Sequence, residues 1–175
     1  MNGVIFIPTF VVGNLVFFLL GLQPGDFPER AWTMVTSLFV HGGIGHILAN
    51  MITLYFFGRY LITLVGEKKF LTVYFIGGIL GNILLLLLAP IFPFSVAIGA
   101  SGAVFAVGGA LAVMRPKTRV FVFPIPAPLP LWVAVIGGFV IISFLPNIAW
   151  QAHLGGLLLG LTMGYFFRKR ERLFF

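Results

Sequence analysis

Of the chain's 175 residues, 60% are hydrophobic and 9% are charged, whereas a soluble domain carries about a quarter charged residues. Water is therefore excluded as the main solvent, and the absence of cysteine excludes disulfides, thiolate metal sites and a cysteine nucleophile. The formal net charge of +7 does not point to nucleic acid, because the basic residues form short clusters at the ends of apolar runs.

Six apolar runs follow one another as candidate spans, a helical span needing ~20 residues to pair its backbone within lipid. The first, residues 4–22, has no basic flank and no small-residue cleavage site behind it, so it reads as a span and not a signal peptide. Residues 23–45 make a long outer loop, expected to lie partly in the interface with Trp32 as an anchor. Within it, Val40-His41-Gly42-Gly43 gives His41 a structural or interfacial role. The second run, 47–65, is opened by His46 and Asn50; the third is 70–89. The fourth, 101–114, is opened by Gly99-Ala100-Ser101-Gly102. Pro124, Pro126, Pro128 and Pro130 then interrupt the chain, since lost amide donors and a fixed φ stop a helix. The fifth run is 129–145, and the sixth, 151–167, is opened by Ala152-His153-Leu154-Gly155-Gly156. The expected fold is all-α, a polytopic membrane bundle of six transmembrane helices forming a single domain over residues 1–175.

Charge sets the expected orientation. With the N-terminus inside, Arg59, Lys68, Lys69, Arg115, Lys117, Arg119, Arg168, Lys169, Arg170 and Arg172 all fall on the cytoplasmic side, and only Arg30 falls outside, as the positive-inside rule requires. A plasma or inner membrane with both termini cytoplasmic is the location this implies.

Polar residues inside spans are costly and mark interior or functional positions. The three groups here, His46 with Asn50, Ser101, and His153, all open even-numbered spans and so lie toward the same, external side. Counting back from the inner ends puts both Ser101 and His153 ~20 Å above the inner boundary. The fourth run is too short for a ~30 Å core, so Ser101 is expected in a submerged cavity. Gly156, Gly160 and Gly164 form one small-residue stripe, and Gly102, Ala106 and Ala110 another. Such stripes let helices approach closely and would bring Ser101 to His153, although ordinary helix packing uses them too.

A serine hydroxyl becomes a nucleophile when a base takes its proton, and a neutral imidazole is the usual base. The one aspartate, Asp26, sits in the first outer loop, so the residues support a Ser101–His153 pair and not a triad. Donors for the developing oxyanion are at hand: His46 and Asn50 share a helix face at i, i+4, and the Ser101 N–H opens a helix and is unpaired there. Each residue also has a plainer role, since a serine in an apolar helix commonly bonds to its own backbone and a histidine there can cap a helix or bind a ligand.

In this order these motifs resemble the rhomboid family of intramembrane serine proteases, in its minimal six-span prokaryotic form, over essentially the whole chain. The resemblance rests on His46-x-x-x-Asn50, Gly99-Ala100-Ser101-Gly102, and Ala152-His153-Leu154-Gly155-Gly156 with Gly160. It implies that Ser101 is the nucleophile and His153 the general base, with His46, Asn50 and the Ser101 N–H around the oxyanion and Gly99, Gly102, Gly156 and Gly160 in support. The chain departs from the family pattern twice: Trp32 is followed by Thr33 where many rhomboids have arginine, and Phe105 stands where some place a tyrosine that stacks on the histidine. Stacking would survive without the hydroxyl.

The reading is thus a serine-type endopeptidase cleaving in or near transmembrane segments. Its competitors are a non-cleaving rhomboid-like binder of membrane proteins and a small transporter, though the paired intramembrane acids of a transporter are missing. No His-Glu-x-x-His metal motif occurs, and one aspartate cannot make a two-aspartate site. No metal or cofactor is expected; the expected partners are a transmembrane protein substrate and the lipid bilayer, with no nucleic acid.

Overall fold

The structure, a computed structural model, describes residues 2–93, 96–122 and 124–171. Arg172, one of the inner-side cations, lies outside them.

Each of the six apolar runs forms a helix. In chain order these are α1 (Asn2–Leu20), the one-turn α2 (Thr33–Thr36), α3 (Ile44–Val65), α4 (Glu67–Leu88), α5 (Ser101–Met114), α6 (Leu131–Ser143) and α7 (Trp150–Glu171). The second run begins three residues earlier than the hydropathy suggests, so His46 sits in the first turn of α3. The fifth is shorter at both ends, because Pro130 precedes the first helical residue and the chain leaves the helix after Ser143. Helix α1 is kinked at Val12, beside Gly13, a weak helix former. Only Gly66 separates α3 from α4, at φ 84°, a left-handed conformation that glycine adopts without Cβ strain. Two helices, Ile44–Val65 and Glu67–Leu88, are long and apolar enough by themselves to cross a membrane; Val11–Leu20, α5 and α6 are shorter apolar helices.

The core is built around α5, whose Ala103, Ala106, Val107, Ala110 and Leu111 are fully buried. Small residues make that burial possible. A Cβ on Gly156 would meet the Gly102 carbonyl, one on Gly160 the Ala106 carbonyl and one on Gly164 the Ala110 carbonyl. The two stripes legible in the sequence therefore pair residue for residue across the α5–α7 contact, as close helix approach requires. On its other side α7 meets α4, where a Cβ on Gly81 would meet Ala152 and one on Gly155 would meet Leu80 and Gly81. The periphery is apolar: Val11, Leu87, Ile141 and Phe144 are among many large side chains left outward, a surface too apolar for a soluble monomer.

Between α5 and α6, strands β1 (Arg119–Val120) and β2 (Leu129–Pro130) pair antiparallel in the register Arg119↔Pro130 and Val120↔Leu129. The Leu131 N–H donates to the Thr118 carbonyl at 2.8 Å, tying the start of α6 to this hairpin.

The first loop folds onto the end of α1. The last carbonyls of a helix have no partner within it, and here loop side chains supply them: Arg30 donates to Phe18 at 2.7 Å, Trp32 to Leu19 at 3.0 Å and Thr36 to Leu20 at 2.8 Å. The Arg30 guanidinium also lies 3.6 Å from the Phe18 ring centroid, a cation–π contact. Trp32, expected as an interfacial anchor, thus spends its indole N–H on the protein's own backbone.

Candidate active site

The segment before α5 is stitched to the first loop. Leu22 and Ala97 exchange two backbone hydrogen bonds of 3.0 and 2.8 Å, Gly99 donates to the Ser37 carbonyl at 2.9 Å, and the Ala100 N–H faces His41 Nε2 at 3.5 Å. Gly99 adopts φ 118°, which an L side chain rarely tolerates. This turn delivers Ser101 as the first residue of α5, its N–H unpaired by the helix.

Helix α7 brings His153 to it. The Ser101 Oγ and His153 Nε2 are 2.7 Å apart, a short O–H···N hydrogen bond. For Nε2 to accept from the hydroxyl, the neutral ring must carry its hydrogen on Nδ1, and that buried atom has no protein partner among the described residues. Asp26 is elsewhere, paired with Arg30 at 3.3 Å. The arrangement is therefore a serine–histidine pair without an orienting carboxylate. Phe105, one turn along α5, lies on the imidazole at a ring-centroid distance of 4.9 Å and 40°, and Phe139 of α6 meets Phe105 edge-on at 5.8 Å and 89°.

His46 flanks the serine on the other side. A Cβ on Gly99 would lie 2.6 Å from His46 Nε2 and 3.6 Å from Ser101 Oγ, so the imidazole rests on the Gly99 backbone beside the hydroxyl. The Gly42 N–H donates to His46 Nδ1 at 3.3 Å. That bond fixes the neutral tautomer with hydrogen on Nε2, the nitrogen turned toward Gly99. Asn50 is nearly buried and donates to the His46 carbonyl at 2.9 Å, which uses one of its two amide hydrogens.

His41 proves more deeply placed than its loop position suggests. It is fully buried, which rules out an interfacial role and leaves the structural one; its ring packs edge-on against His46 at 5.0 Å. Burial above all, with the neighbouring His46, holds it down to about 4, against a weaker opposing pull from the Phe39 carbonyl. A neutral Nε2 is what accepts from Ala100. The sequence signal was the spacing of two histidines five residues apart around the start of one helix; Phe139 carried no signal, being one apolar residue in an apolar run.

Known proteins resemble this chain over the same region. The Rhomboid domain family matches residues 28–170. Rhomboid protein 1, mitochondrial, of Saccharomyces cerevisiae is 29% identical over 161 residues, covering 82% of this chain and 44% of the relative. Rhomboid-like protease 3 of Toxoplasma gondii is 30% identical over 149 residues, covering 80% and 53%. RHOMBOID-like protein 12, mitochondrial, of Arabidopsis thaliana is 32% identical over 172 residues, covering 87% and 50%. The chain spans about half the length of these relatives.

Proposed function

The chain belongs to the rhomboid family, and from that premise we propose that it is an intramembrane serine endopeptidase that cleaves membrane-protein substrates with Ser101 and His153. The observation that carries the proposal is the 2.7 Å contact between the two side chains. Ser101 Oγ attacks the scissile carbonyl carbon while its proton passes to His153 Nε2, and the imidazolium then gives that proton to the leaving amine. Water enters next: it loses a proton to Nε2 as its oxygen attacks the acyl carbon, and the proton returns to Oγ as the ester bond breaks. The tetrahedral oxyanion is held by the Ser101 N–H, the Nε2–H of His46 and the remaining amide hydrogen of Asn50.

The six helices cross the bilayer with both termini on the inner side, as one domain, and the site opens outward below the outer surface. Substrate reaches it beside α6. Gly137 and Gly138, weak helix formers with no neighbour packed against them, permit bending there, and Phe144 and Leu145 lead outward with exposed side chains.

A serine-directed fluorophosphonate tests the nucleophile. The account expects one adduct, at Ser101, formed far more slowly in His153→Ala. An adduct at Ser37, Ser143 or Ser95, the last of which lies outside the described residues, would relocate it.

A further inference from the structure

We infer that Phe139 of α6 is a positioning residue for the proposed hydrolysis, acting on the His153 imidazole through the ring of Phe105; the inference rests on the serine-protease reading above. In a serine–histidine–carboxylate site the carboxylate holds the imidazole in orientation. Here the His153 Nδ1 has no protein partner among the described residues, so the ring is oriented by its hydrogen bond with Ser101 and by Phe105 packed against it at a 40° tilt. Phe105 carries no polar atom, and packing alone sets its plane. One side of that packing is His153 itself. The other is Phe139, whose edge-on approach at 5.8 Å and 89° falls within the 4.5–7 Å range that aromatic quadrupoles favour.

The place of Phe139 on its helix gives the contact a second meaning. Leu131 and Val135 are buried, and the Leu131 N–H is tied to Thr118, so the start of α6 is fixed to the rest of the protein. Past Phe139 the helix turns mostly outward: Val140, Ile141 and Phe144 are exposed, while Ile142 and Ser143 are half-buried. Gly137 and Gly138 offer no side chains, which leaves Phe139 as the residue where the packed half of α6 gives way to the unpacked half. A shift of that outer half withdraws the Phe139 edge and frees Phe105 to rotate, so alignment of His153 on Ser101 depends on where α6 stands.

The test is the rate of Ser101 labelling by a small fluorophosphonate, which reaches the site from water, in the purified full-length protein. Phe139→Leu keeps apolar bulk and removes the ring; Phe139→Tyr keeps the ring. Labelling is expected to slow about 3- to 10-fold in the leucine variant and to stay within about twofold in the tyrosine variant, from the size of an edge-to-face aromatic contact. In a Phe105→Leu background, Phe139→Leu should add no further slowing. A leucine variant that labels at the parental rate, equal slowing by leucine and tyrosine, or full additivity with Phe105→Leu would each overturn the inference while leaving the protease reading intact. A parent protein that is not labelled at Ser101 would overturn both. If Phe139→Leu lacks a thermal unfolding transition, Phe139→Met replaces it on the same criteria.

Discussion

His46 rests on the backbone of Gly99, where an added Cβ would stand 2.6 Å from its Nε2. Gly99 also holds φ 118°, so Gly99→Ala meets two penalties at once: backbone strain of about 1–3 kcal/mol and displacement of the imidazole from the serine. Turnover of Gly99→Ala is expected to fall about 10²-fold, as when an oxyanion donor is lost, with a lowered thermal midpoint. Parental turnover would show that His46 does not need its observed place.

Removing His46 or Asn50 directly separates the two roles offered for them. Alanine at either position should lower kcat about 10²–10³-fold with a smaller change in KM, because oxyanion donors act on the transition state. If the single and double variants turn over at the parental rate, these side chains serve the helix start and not the chemistry.

The α5–α7 contact makes a prediction about stability. Gly160→Val would drive side-chain atoms into the Ala106 carbonyl; overpacking of this kind costs about 1–3 kcal/mol, and wider separation of the helices should slow Ser101 labelling as well. Gly138→Ala, where nothing lies within 4 Å, should leave the thermal midpoint unchanged or raise it slightly. An equal loss in both variants would contradict the pairing of the two stripes.

Acid should weaken the protein through His41. In the folded state its pKa is about 4 against an ordinary 6.5, so the unfolded chain takes up the proton first. The stability this neutral histidine contributes is fully present above pH 6.5 and is lost as pH falls from there toward 4. The thermal midpoint of the parent should therefore drop more steeply across that interval than that of His41→Phe, which has no proton to bind. Parallel curves would remove His41 as a source of acid sensitivity.

What the sequence made legible, and what it did not, follows from the range of the forces involved. The six helices could be read because the apolar runs are long and continuous, and the approach of Ser101 to His153 could be read because Gly156, Gly160 and Gly164 repeat at the spacing of a helix face. The ends of α3 and α6 could not, since a local turn with Gly43 or Pro130 decides them within a few residues. Nor could the caps that Arg30, Trp32 and Thr36 place on α1, because contacts across 12 to 16 residues of irregular loop leave no periodicity. Phe139 was hidden for a different reason: in a helix that is apolar all round, no pattern says which side chain faces the site.

Cleavage of a single-span membrane protein by the purified chain in liposomes tests the central claim most directly. The account predicts cleavage by the parent and a loss of about 10⁴-fold or more in Ser101→Ala and in His153→Ala, with both variants still folded, since one lost hydrogen bond costs only about 1 kcal/mol. Undiminished cleavage by either variant, or a parent that binds the substrate and leaves it whole, would contradict it.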